Sequence, residues 1–132
     1  MKIETGLLQR LRDEARQAAP LECCGLLLGR HKDEICSLEP YPGPLYEHRF
    51  DISDEWLLKQ HYEARASELK VVGYYHSHPT GSGEPSVRDL RGHPAGATCL
   101  IIDRGGQIRL FTLAREGPAS ERIVSYSDVR VL

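Results

Sequence analysis

Apolar positions recur at helical spacing in two segments of the chain. Across residues 3–18 they form one stripe that ends before Pro20, a pattern that predicts an amphipathic helix. A second stripe runs over residues 53–69. It begins at Ser53, a side chain suited to capping a helix N-terminus, and the acids that follow lie where the helix dipole favours negative charge. We therefore expect two long helices.

Between and after these segments, the apolar residues fall into short runs that are typical of strands. The predicted strands cover residues 22–30, 33–39, 49–52, 70–76, 99–102, 107–113 and 122–126. The first two can form a hairpin. Residues 40–47 contain three prolines and a glycine, which forbid regular structure and predict a loop. Strands mixed with two long helices and one short helix predict an α/β sandwich with one mixed β-sheet.

Length and charge narrow the class of protein. The chain has 132 residues, which is close to the length of one domain, and a single domain over residues 1–132 is expected. Seventeen Lys and Arg residues against nineteen Asp and Glu give a net charge of −2, which argues against nucleic acid or an anionic membrane as partner. No apolar run approaches the roughly 20 residues that span a bilayer, and the first residues form no signal-peptide core. A cytoplasmic protein is therefore expected.

The four cysteines are Cys23, Cys24, Cys36 and Cys99. No Cys-x-x-Cys pair is present, so neither a zinc ribbon nor a thioredoxin-type redox site is indicated. Adjacent Cys23 and Cys24 would point to opposite faces of a strand, which makes them poor ligands for one metal ion. Buried, reduced thiols are the expected state, and the adjacent pair is assigned no role.

The chemically informative segment lies between His76 and Asp89. His76 and His78 are two residues apart at the end of a predicted strand, so their side chains leave the same face. The Gly- and Pro-rich loop after His78 can reverse the chain and return Asp89 to the two imidazoles. Two imidazoles and one carboxylate, with a fourth position left for water, are the pattern of a catalytic zinc site.

Simpler interpretations of the same residues remain open. A His-x-His pair also occurs on protein surfaces or as hydrogen-bonded core histidines. Ser86 and Asp89 fit a helix capping box, in which the side chain of each residue accepts a hydrogen bond from the backbone N–H of the other. This capping role is compatible with a role of the same residues at a metal site. Glu22 starts an apolar run, where an acid can end a strand in solvent, pair with a base such as Arg30, or serve catalysis.

Taken together, these residues resemble the motif of the JAMM (MPN+, Mov34/JAB) zinc metalloprotease family. That motif is E…H-S/T-H-x7-S-x2-D, and it is met here by Glu22, His76-Ser77-His78, Ser86 and Asp89. Residues 20–27, Pro-Leu-Glu-Cys-Cys-Gly-Leu-Leu, resemble the P-x-E-x-C-G-L-L segment of bacterial and archaeal members. The similarity extends over nearly the whole chain and is to the prokaryotic stand-alone type.

The resemblance implies a cytidine-deaminase-like sandwich and a zinc-dependent (iso)peptidase. By similarity, His76, His78 and Asp89 would hold Zn2+. Glu22 would act as general base and then general acid, and Ser86 would support the oxyanion. The implied partner is a small ubiquitin-like or sulfur-carrier protein, and the implied reaction is hydrolysis of the amide bond after its C-terminal Gly-Gly. The oligomeric state is left open, a homodimer included.

The chain lacks the long insertions with which some eukaryotic members of the family recognise polyubiquitin, which favours a small modifier as substrate. The loop over residues 40–47 is a candidate flap over the substrate tail or an ordinary surface loop. Three other functions stay open: a catalytically inactive MPN-type binding scaffold, a zinc amidohydrolase acting on small peptides, and a non-haem iron oxygenase, since two histidines and one carboxylate also form a facial triad. Surface or structural positions are expected for His31, His48, His61 and His93.

Overall fold

The structure is a computed structural model that describes residues 1–81, 83–86, 88–89, 96–113, 123–127 and 130–131. The long helices in these ranges are α1 (Leu7–Ala18) and α2 (Asp54–Ala66). The strands are β1 (Lys2–Ile3), β2 (Cys24–Gly29), β3 (Glu34–Ile35), β4 (Ser37–Pro40), β5 (Lys70–Ser77), β6 (Thr98–Ile102), β7 (Ile108–Leu113), β8 (Ile123–Ser127) and β9 (Arg130–Val131). No helix of the described residues is long and apolar enough to cross a membrane.

Six of these strands form one mixed sheet in the order β4-β2-β5-β6-β7-β8. β5 and β6 run parallel, and the other neighbours run antiparallel. The predicted mixed sheet with two long helices is confirmed. A second, small parallel sheet joins β3, β1 and β9. It was not predicted, because its strands are two residues long and carry no periodic pattern.

The side chains of the large sheet alternate between its two faces, and a helix packs on each face. Leu27 of β2 and Tyr75 of β5 belong to the cluster that buries Leu11 of α1. Leu26, next to Leu27, packs instead in the cluster that holds Ala64 of α2. This alternation decides which residues of β5 share a face with α2 and which share a face with α1.

The helix starts follow from local chemistry. The Ser53 hydroxyl accepts a hydrogen bond from the Trp56 backbone N–H at 3.3 Å, which is the expected N-cap of α2. α1 begins at Leu7, whereas the sequence predicted a start at Ile3. Ile3 pairs in β1, and Gly6, with φ of 91°, adopts the left-handed conformation that turns the chain into the helix.

Two of the strand predictions need correction. Residues 49–52 form no strand, so the strand predicted there is wrong. The segment 33–39 does not pair as one unit with β2, because β3 pairs with β1 and only β4 pairs with β2. The other predicted strands are present with ends shifted by one or two residues.

The two irregular segments near the predicted site agree with expectation where they are described. Residues 41–47 contain no helix or strand, and Pro40 ends β4, which supports the loop prediction. The predicted short helix after Ser86 falls mostly outside the described residues. Arg88 and Asp89, which are described, are helical.

Candidate metal centre

The register of β2 and β5 brings the predicted site residues to one end of the large sheet. Cys24 pairs with His76, so Glu22, two positions before Cys24, lies at the end of β5 on the same face as His76. This is the face on which α2 packs. His78 follows the end of β5, and its backbone N–H donates to the Ile102 carbonyl at the end of β6 at 2.8 Å.

Ser77, between the two histidines, ties these strands together. It is buried, and its hydroxyl accepts a hydrogen bond from the Cys23 N–H at 2.9 Å. Its own N–H donates to the Cys23 carbonyl at 3.0 Å. This pair of bonds fixes Glu22, the neighbour of Cys23, relative to His76 and His78. The sequence motif allows Ser or Thr at this position, but it did not reveal this role.

The two imidazoles and the Asp89 carboxylate meet at one point. The Nε2 atoms of His76 and His78 lie 3.0 Å apart. Oδ2 of Asp89 is 3.1 Å from the first and 2.9 Å from the second. Glu22 completes the cluster, because all four residues offer a ligand atom within 4.8 Å of the others. The structure therefore brings together four of the five residues singled out in the sequence, and the fifth adjoins them.

That fifth residue, Ser86, forms a reciprocal capping pair with Asp89. The Ser86 backbone N–H donates to Oδ2 of Asp89 at 2.8 Å, and the Asp89 N–H donates to Oγ of Ser86 at 3.0 Å. The same Oδ2 atom faces both imidazoles, so the cap also orients the carboxylate toward the histidines. The capping geometry is therefore compatible with metal binding by Asp89.

Glu22 is a buried acid with an unusual proton affinity. Only 5% of its surface is exposed. Burial raises the pKa of Glu22 to about 7, with His78 opposing the rise and Asp89 reinforcing it. Its Oε1 atom has no hydrogen-bond partner within the described part of the chain. A carboxyl group with a pKa near neutrality can both accept and release a proton.

The protonation states of His76 and Asp89 suit a divalent metal. His76 is fully buried, and burial lowers its pKa, which favours the neutral imidazole. Burial acts to raise the pKa of Asp89, but hydrogen bonds from the two histidines outweigh it, so the pKa is lowered and the carboxylate is ionised. These are the forms that coordinate metals. Ligand atoms about 2.0–2.1 Å from a tetrahedral zinc ion lie roughly 3.3 Å apart, close to the spacing found here. The donor set therefore fits zinc.

Tyr46, in the loop given as a candidate flap, and Phe50, in the strand predicted at residues 49–52, form one wall of the centre. The Phe50 ring stacks on the His76 imidazole, with centroids 4.5 Å apart and an interplanar angle of 27°. The Tyr46 carbonyl accepts a hydrogen bond from the Glu22 N–H at 2.7 Å. Within the segment 49–52, which suggested a strand, Phe50 therefore packs on the centre, and the segment forms no strand.

A cavity of about 140 Å³ opens beside the cluster. Glu22, His78 and Ser86 line it together with Glu47 and His48. The His48 side chain is 79% exposed, so this histidine lies at the mouth of the cavity and not among the buried donors. Glu47 belongs to the loop over residues 40–47, which the sequence indicated as a candidate flap, whereas nothing in the sequence pattern distinguished His48 from other surface residues.

All four cysteines are free thiols. Cys23, Cys24 and Cys99 are buried, as expected, whereas Cys36 is only half-buried. Burial raises the pKa of Cys23 and of Cys24 to about 12, so both remain protonated and unreactive. The expected surface positions hold for His31, His48 and His61, and His93 lies outside the described residues.

Comparison with known proteins identifies relatives of this chain. Residues 4–114 match the family described as prokaryotic homologues of the JAB domain. A probable TtuB-protein conjugate cleaving protease from Thermus thermophilus is 34% identical over 114 residues, which are 84% of this chain and 74% of that protein. A desampylase from Pyrococcus furiosus is 28% identical over 106 residues, 79% of this chain and 75% of that protein. The fold is similar to that of AF2198, a JAB1/MPN domain protein from Archaeoglobus fulgidus, with a TM-score of 0.67, 24% identity, and coverage of 100% of this chain and 97% of that one.

Proposed function

The chain belongs to the family of prokaryotic homologues of the JAB domain, and we infer that it acts as a JAMM-type metallopeptidase whose donor set fits zinc. From that premise we propose that it hydrolyses the amide bond that follows the C-terminal Gly-Gly of a small ubiquitin-like or sulfur-carrier protein. The observation that carries the proposal is the convergence of two imidazole nitrogens and one carboxylate oxygen, no more than 3.1 Å apart, beside a buried acid.

In this proposal His76, His78 and Asp89 hold the metal ion. Bound zinc supplies Lewis acidity, which lowers the pKa of water to about 7 and polarises a carbonyl group. The chain itself keeps the three donors in position before the ion arrives. β5 carries His76 in a fully buried place, and the Ser86 N–H orients the Asp89 carboxylate. This arrangement reduces the reorganisation that metal binding requires.

Glu22 is proposed as the general base and then the general acid. Its carboxylate accepts a proton from the attacking water, and the protonated group later delivers that proton to the leaving amine. Its burial, its pKa of about 7 and an Oε1 atom without a hydrogen-bond partner among the described residues support this role. A glutamate of ordinary pKa, about 4.3, would stay ionised at neutral pH and would be a poor proton donor.

Ser86 is proposed to donate a hydrogen bond to the scissile carbonyl oxygen as negative charge develops there. Oγ of Ser86 already accepts a hydrogen bond from the Asp89 N–H, which leaves its O–H proton available for donation. The residue lines the cavity together with Glu22 and His78. Loss of one such donor typically lowers kcat by about 10²–10³.

The substrate class is argued from the cavity and from the relatives. A Gly-Gly tail carries no side chains, so its backbone can lie close to the walls of the cavity of about 140 Å³ beside the cluster. Two relatives are named for cleaving a TtuB-protein conjugate and for desampylation, which supports a conjugate of a ubiquitin-like modifier as the substrate.

The test is cleavage of a sulfur-carrier protein that ends in Gly-Gly followed by a short C-terminal extension, measured by mass spectrometry. The wild type should remove the extension, a chelator should prevent cleavage, and added zinc should restore it. Glu22→Gln should keep zinc and lose turnover, whereas the exposed Glu63→Gln should behave like the wild type. His78→Ala should lose both zinc and turnover, whereas the exposed His31→Ala should keep both.

The same experiment separates this function from the alternatives. Cleavage that survives chelation would contradict the zinc mechanism, and oxygen-dependent turnover would indicate an iron oxygenase. Absence of zinc binding, without stabilisation by added zinc, would favour a metal-free scaffold. A free peptide containing Gly-Gly that is cleaved as fast as the fusion would indicate a small-peptide amidohydrolase. A fully active Glu22→Gln variant would remove Glu22 from the mechanism.

A further inference from the structure

A second cavity lies on the opposite face of the sheet, at the same end as the metal centre. Its volume is about 210 Å³, and its walls are the second half of α1, the end of β5 and the turn between β6 and β7. We name it the arginine cavity, because Arg12, Arg16 and Arg104 line it. Pro79, the residue after His78, lines both cavities, so the two share a wall.

The charge of the arginine cavity is opposite to that of the chain. Three arginines and one acid, Asp103, line it, which leaves a net charge of +2 in a chain of net charge −2. Oδ1 of Asp103 accepts hydrogen bonds from the Gly105 and Gln107 N–H groups at 2.9 Å, so this carboxylate already serves the turn. Concentrated positive charge in a concave site attracts an anionic ligand.

Arg12 is held in place by the protein itself. Its Nε–H donates to the Gly106 carbonyl at 2.8 Å, across 94 residues of sequence. Gly106 has φ of 80°, and a Cβ there would lie 3.7 Å from the Arg12 side chain, which packs along the turn. A guanidinium anchored through Nε still has its terminal N–H groups, which match the two oxygens of a carboxylate. Arg16 and Arg104 are exposed at the rim.

The polar groups around the cavity favour a carboxylate over a phosphate. Protein phosphate sites commonly use backbone N–H groups at a helix N-terminus or in a glycine-rich turn. Here the Gly105 and Gln107 amides bind Asp103 Oδ1, and the Gly106 amide binds the Asp103 carbonyl. α1 presents its C-terminal half, so it offers the cavity none of the free N–H groups of its N-terminus. The cationic donors among the described lining residues are guanidinium groups, of which that of Arg16 also pairs with Asp13 at 3.8 Å. They lie beside an apolar wall that includes Ile102, a combination that suits an Asp or Glu side chain.

We propose that the arginine cavity binds an acidic side chain of the protein conjugate while the Gly-Gly tail occupies the metal centre. The inference rests on the proposed function, because it names a second point at which the same substrate is held. The two points are physically joined: the His78 N–H donates to the Ile102 carbonyl, and Ile102 lines the arginine cavity. A carboxylate bound there does not touch the reacting bond, so it lowers KM and leaves kcat unchanged.

Steady-state cleavage of the sulfur-carrier fusion, with zinc content and Tm recorded for each variant, tests this assignment. Arg12→Gln should raise KM about threefold to tenfold at low salt, with kcat unchanged. Arg12→Lys keeps the charge without the planar fork and should recover only part of the loss. Arg10→Gln makes the same charge change on the same helix outside the cavity, and it should leave KM at the wild-type value.

Arg104→Gln provides a second variant at an exposed position, so the test does not depend on the stability of Arg12→Gln. It should also raise KM and weaken the dependence of KM on salt. KM values for Arg12→Gln and Arg104→Gln that equal the value for Arg10→Gln would overturn the proposal.

A binding experiment distinguishes failure of this inference from failure of the proposed function. Backbone amide and arginine Nε–H resonances of the zinc-loaded wild type are followed as an N-acetylated, C-amidated Glu-Glu dipeptide is added. The Arg12 and Gly106 signals should shift, and the matched Gln-Gln dipeptide should leave them in place. No shift with Glu-Glu, an equal shift with Gln-Gln, or a shift with inorganic phosphate alone would overturn the carboxylate assignment. A Glu-Glu response without cleavage of the fusion would leave the carboxylate site standing and reject the peptidase substrate.

Discussion

Replacement of Ser77 by alanine tests how the strands beneath the metal centre are joined. The buried Ser77 hydroxyl accepts a hydrogen bond from the Cys23 backbone N–H at 2.9 Å. In the Ser77→Ala variant this N–H keeps neither an acceptor nor access to water, and a buried unsatisfied donor costs about 1–3 kcal/mol. Because Glu22 adjoins Cys23, we also expect turnover to fall while the zinc content is retained.

The expected loss of stability can be measured in two ways. For a chain of 132 residues the unfolding entropy is about 0.28 kcal/mol/K, so a loss of about 1–3 kcal/mol lowers Tm by about 4–10 °C. Denaturant unfolding, followed by circular dichroism and by the fluorescence of Trp56, the single tryptophan, gives the free energy of unfolding directly. Agreement between the two probes checks that unfolding is two-state.

Ser77→Thr is the matched control for this substitution. It keeps the hydroxyl, and its additional methyl group can enter the arginine cavity, which Ser77 lines. This variant should therefore retain most of the wild-type stability. A Ser77→Ala variant within about 0.5 kcal/mol of the wild type, the range of ordinary surface substitutions, would refute the reasoning. Such a result would mean that the Cys23 N–H does not depend on the Ser77 hydroxyl.

Three further substitutions have definite expectations. Gly25→Ala would place a Cβ against the backbone of β4 and should lower the free energy of unfolding by about 1–3 kcal/mol. Gly81→Ala, where a Cβ meets open space, should leave that free energy unchanged, and equal melting temperatures for the two variants would contradict this. Phe50→Ala removes the ring stacked on His76 and should weaken zinc binding about twofold to tenfold, measured by competition with a chelator. Phe50→Tyr keeps the ring and should bind zinc as tightly as the wild type. Burial raises the pKa of Glu14, so the folded chain binds this proton more tightly than the unfolded chain, and stability falls as the pH rises through the raised pKa. In Glu14→Gln, the free energy of unfolding, measured with denaturant above and below that pH, should fall less as the pH rises. The same dependence of this free energy on pH in the variant and the wild type would argue against the role of Glu14.

The chemistry at the end of β5 could be predicted from the sequence because most of it is local. His76, His78, Ser86 and Asp89 fall within fourteen consecutive residues. Alternate residues of a strand share a face, and a capping pair lies one helical turn apart, so spacing alone predicts that these side chains can meet. The fold class was predictable for a similar reason, since helical and strand periodicities are properties of each segment by itself.

Segments that are far apart in the sequence meet only through the tertiary structure. Glu22 joins the histidines because of the register of β2 against β5, which the Ser77 hydroxyl and the Cys23 N–H hold across 54 residues. The same holds for the strand wrongly predicted at residues 49–52. Its apolar pattern was visible in the sequence, but its partner, the His76 imidazole, was not.

Composition and periodicity thus determined the helices, most strands and the kinds of side chain available for catalysis. The tertiary structure decided the register of the sheet, the wall formed by Phe50 and the bond from Arg12 to the Gly106 carbonyl that shapes a second cavity. The reason is that a local pattern depends on the conformational preferences of neighbouring residues. Long-range pairing depends instead on how all the buried surfaces pack together, and no single segment carries that information.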